Sequence, residues 1–347
     1  MRLGAHHPPL LVQLRTTLAG LDRAEAPTTW LTQLVHQGLD QLPLPGHGAT
    51  LQRWQALCAV AEHDLSLAKL YEGHTDALAV MAELAPGASP VPGATWGMWA
   101  AEAPDGRTVL EATGPESVRL SGAKCWCSGA GHVSHGLLTA WWPDGRGPQL
   151  VRVAMDQPGV STSHANWHAV GMAASASIDI VFKGVVGERV GDAGAYLQRP
   201  GFWQGGAGIA ACWHGGAVAL AGSLHRSLAQ APATGRNAWR LAALGKVGVA
   251  LQSTAALLRE TAHWIDEHPT VDASAMALRV RLAAESSARL VLDEVGRALG
   301  ATPLCRDAAF AQMAADLPVF VRQSHAERDC AALGERLVLP GAPSWAL

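Results

Sequence analysis

The spacing of hydrophobic residues changes twice along this chain, and the changes divide it into three parts. From residue 1 to about residue 91, hydrophobic side chains recur every three or four positions, which is the period of an α-helix. The longest such stretch, residues 50–84, is long enough for two helices. The sequence PGASPVPG, which ends at Gly93, is rich in helix-breaking residues and predicts a domain boundary.

From residue 92 to residue 198, hydrophobic and polar residues alternate in short runs, which predicts β-strands. The predicted strands cover residues 95–101, 108–112, 117–120, 124–128, 136–142, 150–155 and 177–182. Strands of this length and spacing predict a small antiparallel barrel or sandwich. Residues 119–140 (RLSGAKCWCSGAGHVSHGLLTA) have a hairpin pattern, with a tight turn at Ser121 and Gly122.

From residue 199 to residue 347 the helical spacing returns. The predicted helices cover residues 204–230, 239–264 and 274–299, and a last one ends near Leu333, which together indicate a four-helix bundle. In residues 201–217 (GFWQGGAGIAACWHGGA) small residues recur at intervals of three and four. A dinucleotide-binding motif would need a preceding strand, which is missing, so the small residues predict a close approach to a neighbouring helix.

The composition favours a stably folded protein that acts on a small molecule. Of 347 residues, 49% are hydrophobic and 16% are charged, and the formal net charge is −3, which excludes extended disorder and a strong electrostatic attraction to nucleic acid. The 13 tryptophans, against 4 phenylalanines and 2 tyrosines, are interpreted as core residues. The sequence has no run of 18 apolar residues and no signal-peptide core, so we predict a cytoplasmic protein without a membrane partner.

The candidate metal ligands do not form a complete set. Cys125 and Cys127 could contact one ion, but no second pair with zinc spacing follows them. Residues 62–74 contain two histidines and three acidic residues whose spacings do not repeat, so a solvated helix face with caps at Asp64 and Ser66 is preferred. The Glu-x-x-His pair at residues 260–263 has no second copy, as a di-iron bundle requires. We predict no metal site.

One predicted strand carries the candidate chemistry. Simple alternation puts Trp126 and Ser128 on one face and Cys127 on the other. The series Gly122, Lys124, Trp126, Ser128 resembles the strand Gly-x-Lys-x-Trp-Ile-Thr-Asn that runs beneath the flavin ring of FAD in the acyl-CoA dehydrogenase family. An ordinary buried strand with one aromatic residue would have the same local pattern, so the remainder of the chain has to decide between these interpretations.

The order of the three parts resembles the acyl-CoA dehydrogenase family over nearly the whole chain. It implies an α+β multidomain fold with an N-terminal helical domain (1–91), a middle antiparallel β-barrel or sandwich (92–198) and a C-terminal four-helix bundle (199–347). It also implies FAD as cofactor and a homodimer or homotetramer, because the family completes its FAD site across subunits. The residues matched to the family's cofactor-binding motifs are Ala101, Trp126, Cys127, Ser128 and Arg236.

The match to the family weakens at the functional motifs. Ala101 stands where the family has the threonine of Thr-Glu-Pro, and residues 297–301 lack the Gln-x-x-Gly-Gly used near the adenosine. The family's catalytic glutamate falls on Gln323, whose amide cannot remove the α-proton of a thioester. His325 or Glu327 would replace this base only in a different alignment.

Two functions follow from this resemblance. One is an FAD-dependent oxidoreductase that acts on an acyl thioester, such as acyl-CoA, or on another small substrate. The alternative is a cofactor-poor and catalytically silent relative that serves as a binding or assembly subunit. The absorbance spectrum of the purified protein distinguishes them.

Overall fold

The computed structural model describes residues 9–87, 91–103, 106–232, 237–339 and 345. The first four helices are α1 (Leu10–Ala19), α2 (Pro27–His36), α3 (Thr50–His63) and α4 (Leu65–Leu84). Asp64 separates α3 from α4, and its carboxylate accepts a hydrogen bond from the backbone N–H of Leu67 at 2.7 Å. The predictions of two helices in residues 50–84 and of a cap at Asp64 are therefore confirmed. The predicted cap at Ser66 is wrong, because its hydroxyl is buried inside α4 and has no hydrogen-bond partner among the described residues.

Seven strands form one sheet, and its two ends meet. They are β1 (Trp96–Trp99), β2 (Thr108–Ala112), β3 (Ser117–Cys127), β4 (His135–Trp141), β5 (Pro148–Ala154), β6 (Val160–Ser163) and β7 (Ile178–Val190). The pairing runs from β4 through β2, β3, β7 and β5 back to β4, so the sheet closes into the predicted barrel. Two pairings, β1 with β4 and β2 with β4, are parallel, and the others are antiparallel.

The predicted hairpin over residues 119–140 is wrong. The ladders of β3 join it to β2 and β7, while β4 is bonded to β1, β2 and β5. Gly122 lies inside β3 with φ 115°, and a Cβ atom there would lie 2.2 Å from the carbonyl oxygen of Arg107. This glycine therefore permits the close approach of two strands, and does not form a turn.

The helices return after the barrel and pack around one central helix. They are α5 (Ala195–Gln198), α6 (Gly201–Gln230), α7 (Ala238–Glu267), α8 (Ser274–Leu299), α9 (Ala301–Arg306), α10 (Ala308–Phe320) and α11 (Glu327–Leu337), with a 3-10 turn at Val321–Gln323 between the last two. Helix α6 contacts α3, α4, α7, α8 and α10. The single last helix predicted to end near Leu333 is thus divided into α10 and α11.

Small residues let α6 approach α3 closely, as predicted. A Cβ atom on Gly215 would lie 2.4 Å from the carbonyl oxygen of Cys58, and one on Gly208 would lie 3.1 Å from the Nε1 atom of Trp54. The first of these distances leaves no room for a methyl group, because the nearest atom belongs to the backbone of α3.

A buried histidine joins the first helices to the barrel. His74, on α4, is fully buried, and its Nδ1 atom accepts a hydrogen bond from the backbone N–H of Trp96 at 3.1 Å. Because Nδ1 is the acceptor, Nε2 carries the proton and donates to Asp40, 3.1 Å away. One imidazole therefore ties α4 to β1 and to the loop that follows α2.

Two helices, α6 and α7, are long and apolar enough to cross a membrane by length and composition alone. They differ in burial, since 72% of the apolar window of α6 but only 22% of that of α7 is covered by the protein. Trp239 and Val249, on α7, are 84% and 70% exposed. Helix α6 is therefore a core helix, whereas α7 carries an apolar face that the described part of the chain leaves uncovered.

Candidate functional site

A cavity of about 600 Å³ opens between the barrel and the C-terminal helices. We call it the outer cavity. Its walls include Lys69, Met98, Trp99, Ala101, Trp126, Ser128, Trp167, Met172, Ser175, Ser177, Phe320, Arg322, Gln323 and His325. Its volume is within the range of roughly 300–1,000 Å³ that is usual for small-molecule sites.

The indole of Trp126 lies in the wall of the outer cavity because a β-bulge interrupts β3. The register between β3 and β7 shifts between Lys124 and Cys127, and Trp126 has φ 57°, in the left-handed region. A bulge redirects the side chain that it carries, and Trp126 is 54% exposed. The alternative interpretation of Trp126 as an ordinary core residue is therefore excluded.

Cys127 follows the bulge and points the other way. Its side chain is fully buried, and its thiol donates to the carbonyl oxygen of Lys124 at 3.3 Å. Burial raises the pKa of this thiol far above its usual range, so it stays protonated. The Cys127 side chain does not line the outer cavity, and cofactor binding through its backbone stays a prediction.

Three serine hydroxyls form a chain along one wall. Ser175 donates to the carbonyl oxygen of Met172 at 2.8 Å, so it must accept from Ser177, 3.0 Å away. Ser177 in turn accepts from Ser128 at 2.7 Å. Because the Ser128 hydrogen is engaged in this chain, its oxygen faces the cavity as a hydrogen-bond acceptor.

The loop beneath these serines is held in a strained conformation by α10. Met172 and Ala176 have φ 60° and 42°, which is unfavourable for residues other than glycine. The carboxylate of Asp316 accepts a hydrogen bond from the backbone N–H of Met172 and another from Gln312 at 2.7 Å. Burial raises the pKa of Asp316, although both hydrogen bonds oppose this effect. Asp316 is thus the contact that fixes the loop to the bundle.

Lys124 supports the strand without reaching the cavity. It is 2% exposed, and its ammonium group lies 2.8 Å from Glu102 and 2.8 Å from the hydroxyl of Thr139. Burial tends to raise the pKa of Glu102, but the bonds from Lys124, Thr139 and Trp141 lower it overall. The lysine of the sequence motif therefore joins β3, β4 and the loop after β1.

The remaining predicted site residues lie in different places. Ala101 and His325 line the outer cavity, and the His325 side chain is 62% exposed, with Nδ1 3.4 Å from Asp329. Glu327 is exposed at the start of α11 and lines neither this cavity nor the one described next. Arg236 lies outside the described residues.

A second cavity of about 310 Å³ adjoins the first, and the sequence analysis missed it. This inner cavity lies among α4, α6, α8 and residues 323–329. Its walls include Lys69, Glu72, Asp76, Tyr196, Arg199, Trp203, Gly205, Gly206, Leu278, Arg281, Gln323, His325 and Asp329. The sequence did contain one indication of this cavity, namely Glu72 and Asp76. Like charges four residues apart on a buried helix are unfavourable unless another group compensates them.

Gln323 lies where the two cavities meet. Its backbone carbonyl accepts a hydrogen bond from Arg281 at 2.9 Å. Its amide oxygen is buried and receives no hydrogen bond within the described residues. A buried acceptor without a donor is unfavourable, so this oxygen is available for a ligand.

Arg322, beside it, forms an ion pair that the sequence did not predict. Its partner is Glu285, a residue of α8 that is 4% exposed. The i, i+4 spacing of Glu285 and Arg289 in the sequence predicts an outward ion pair between them, but these groups lie 3.8 Å apart. The Glu285 carboxylate therefore anchors the 3-10 turn of the site from within the bundle. Among the described residues, no group of three His, Cys, Asp or Glu side chains is placed to hold a metal ion.

The chain resembles several solved structures over almost its whole length, although no protein-family model and no curated sequence matches it. KijD3 in complex with FMN and dTDP-3-amino-2,3,6-trideoxy-4-keto-3-methyl-D-glucose is 19% identical, with a TM-score of 0.79, over 97% of this chain and 93% of KijD3. TdsC from Paenibacillus sp. A11-2 with FMN and indole is 20% identical, with a TM-score of 0.76, over 97% of each chain.

A third such structure is methanesulfinate monooxygenase MsuC from Pseudomonas fluorescens. It is 19% identical, with a TM-score of 0.75, over 96% of each chain. At these identities the likeness concerns the fold alone. The predicted fold class is confirmed, and the chain has an α+β fold of the acyl-CoA dehydrogenase type.

Proposed function

We propose that the protein is a flavin-dependent oxidoreductase whose outer cavity binds the isoalloxazine ring against Trp126. One observation carries this proposal: the β-bulge directs the half-exposed indole of Trp126 towards a cavity of about 600 Å³. Two of the similar structures, those of KijD3 and TdsC, contain FMN, which supports a flavin here.

The residues around the outer cavity suit such a ring. Trp126 offers a flat apolar face for stacking, and Ser128 offers an acceptor for a ring N–H group. Ala101, which also lines the cavity, occupies little of its space because its side chain is small. When bound, the flavin would supply two-electron redox chemistry, and the chain would bind it, orient it and limit its contact with water.

Within this proposal we prefer FMN to FAD. The resemblance to acyl-CoA dehydrogenases implied FAD, but the Gln-x-x-Gly-Gly sequence used near the adenosine is replaced by residues 297–301, which form the end of α8 and its cap at Gly300. The flavin in the KijD3 and TdsC structures is FMN. Chromatography of the flavin released by heat tells the two cofactors apart.

We further propose that the reaction is an oxygenation of a small molecule and not the dehydrogenation of an acyl thioester. Dehydrogenation needs a base at the α-carbon, and Gln323 offers an amide at the junction of the cavities. An oxygenation needs no such base: one atom of O₂ would enter the substrate, and the other would leave as water after taking up two protons and two electrons from a reduced flavin. Accordingly, turnover of saturated straight-chain acyl-CoA with a dye acceptor should be undetectable; ordinary turnover would contradict our placement of Gln323.

The experiment that tests the flavin site is a titration of the purified protein with FMN and with FAD, followed by absorbance. If the flavin covers about half of a tryptophan side chain of ~200 Å², Trp126→Ala should lose about 2 kcal/mol, or about thirty-fold in Kd. Ser128→Ala should lose only about 0.5 to 1.5 kcal/mol as one neutral hydrogen bond.

The matched control is Trp264→Ala, which removes a half-buried tryptophan of α7 that lines neither cavity. Its flavin affinity should equal that of the wild type. If Trp126→Ala and Trp264→Ala behave alike, the flavin does not bind at Trp126. If the wild type binds neither flavin, the alternative of a cofactor-poor binding or assembly subunit replaces this proposal.

We also propose that the protein is a homodimer or homotetramer. The uncovered apolar face of α7, with Trp239 84% exposed, supports association through the bundle. Light scattering at micromolar concentration should therefore give a mass of at least two chains, and a mass of one chain would contradict this proposal.

A further inference from the structure

The inner cavity carries three basic and three acidic side chains, and most of their charges are paired. Lys69 lies 3.0 Å from Glu72 on the same helix. Arg199 lies 2.7 Å from Glu83, behind the cavity wall. Asp329 lies 3.4 Å from the Nδ1 atom of His325 and accepts a hydrogen bond from the backbone N–H of His325 at 3.1 Å. These contacts leave one acid and one base of the cavity to be accounted for.

The acid is Asp76, on α4. It is half-buried, and within the described residues neither of its carboxylate oxygens receives a hydrogen bond or belongs to an ion pair. Burial raises the pKa of Asp76, against the opposing effect of Arg199. Gly205 of α6 leaves space beside this carboxylate, because a Cβ atom there would lie 3.0 Å from the Oδ1 atom of Asp76.

The base is Arg281, on α8. Its guanidinium donates to the carbonyl oxygens of Gly206 and Gln323, at 3.0 and 2.9 Å, and it forms no ion pair among the described residues. A guanidinium has five N–H groups. Arg281 therefore retains donors for an anionic group.

Asp76 and Arg281 face the same turn of α6. Asp76 lies beside Gly205, and Arg281 is bonded to the carbonyl of Gly206. Between this turn and the outer cavity lies the buried amide oxygen of Gln323, which also lacks a donor. The cavity thus presents a carboxylate on α4 and a guanidinium on α8, neither in an ion pair, with a further acceptor where the two cavities meet.

From this arrangement we infer that the inner cavity binds a small zwitterionic substrate, an amino acid whose ammonium group contacts Asp76 and whose carboxylate contacts Arg281. A ligand with a single charge would pair with only one of these two groups and leave the other without a direct ion-pair partner, which is unfavourable in a buried site. A zwitterion compensates both and leaves the balanced charge of the cavity unchanged. The inference rests on the proposed function in one respect, since it names the substrate class of the same site.

The test is calorimetric binding of an ω-amino acid series from glycine to 6-aminohexanoate, with the alkylamine and the carboxylic acid of each length as single-charge controls. At least one amino acid should bind ten-fold or more tightly than both of its controls. Asp76→Asn should remove this advantage by lowering amino-acid affinity ten-fold or more, while leaving the affinity for the carboxylic acid within two-fold. Arg281→Gln should lower the affinity for amino acid and carboxylic acid and spare the amine.

The control variant is Glu267→Gln, which changes an exposed ion pair with His263 on α7 and should bind like the wild type. If no amino acid binds more tightly than its single-charge controls, or if Asp76→Asn binds like the wild type, the inference is overturned. Arg281 also donates hydrogen bonds to two backbone carbonyl oxygens, so Arg281→Gln risks misfolding. In that case the result for Asp76→Asn alone tests the inference.

The measurements are made with and without added FMN, so that the two proposals fail separately. Binding of an amino acid by protein that takes up no flavin supports the zwitterion site and contradicts the proposed function. Uptake of flavin at Trp126 without binding of any amino acid overturns the zwitterion site alone.

Discussion

Replacing Gly215 by alanine tests the close contact between helices α3 and α6. The new methyl carbon would lie 2.4 Å from the carbonyl oxygen of Cys58 and 2.9 Å from the Cβ atom of Ala61. Because the first of these atoms is backbone, no side-chain rotation can relieve the contact. Helices α3 and α6 must separate by about 0.6 Å to restore even 3.0 Å, a distance below which Cβ contacts are essentially never seen.

The expected magnitude is a difference between two effects. Alanine is favoured over glycine within a helix by about 1 kcal/mol, whereas overpacking a core costs about 1–3 kcal/mol and occasionally more. Because separating the helices also loosens the contacts of their buried neighbours, we place the cost of overpacking in the upper part of this range of about 1–3 kcal/mol. Gly215→Ala should therefore lower the free energy of unfolding by about 1 to 2 kcal/mol.

Urea denaturation followed by circular dichroism measures this change, with Gly245→Ala as the matched control. Gly245 lies in α7 with no atom within 4 Å of its virtual Cβ, so that variant should be stabilised by about 0.5–1 kcal/mol. If Gly215→Ala is as stable as Gly245→Ala, then α3 and α6 do not approach each other as closely as the structure shows.

Two further predictions concern buried polar groups. His74→Ala leaves the backbone N–H of Trp96 without its acceptor and Asp40 with only the hydrogen bond from Gln41, so it should lower the free energy of unfolding by about 3–5 kcal/mol. A loss below about 1 kcal/mol in urea denaturation would show that α4 and β1 are joined by other contacts. Asp316 has a raised pKa in the folded protein, so its contribution to stability is complete below the unfolded value of about 3.9 and is lost as the pH rises through the folded pKa. The stability difference between wild type and Asp316→Asn, which does not titrate, should therefore shrink as the pH rises from about 4, and a growing difference would contradict the assignment.

The sequence predicted the order of helices and strands well, because burial on one face sets the period of the hydrophobic residues. It also pointed to Trp126 and Ser128 as neighbours on a cavity wall. The prediction assumed the simple alternation of a regular strand. In the structure, Trp126 reaches the cavity wall because it lies in a β-bulge and has a left-handed backbone conformation. A bulge leaves no signature in a hydrophobic pattern, so this part of the geometry was not predictable.

Other errors arose where one residue type serves two purposes. Gly122 was interpreted as a turn, but the glycine is needed because a neighbouring carbonyl approaches it within a β-strand. Glu285 was assigned to a solvated face and Asp76 was not singled out, since a charged residue on an amphipathic helix is usually exposed. Both line or support the site instead, and only the tertiary contacts of α4 and α8 show it.

The position of α6 in the chain has a consequence for how the protein is made. The apolar side of α3, including Trp54 and Leu57, packs against α6, which begins at Gly201, about 150 residues after α3 begins. At roughly 5–20 residues per second, a ribosome needs about 8 to 30 seconds to synthesise that interval. During this time α3 has been synthesised, but its apolar side is not yet covered by α6. A nascent chain that stops before α6 should therefore depend on chaperones far more than the finished protein does.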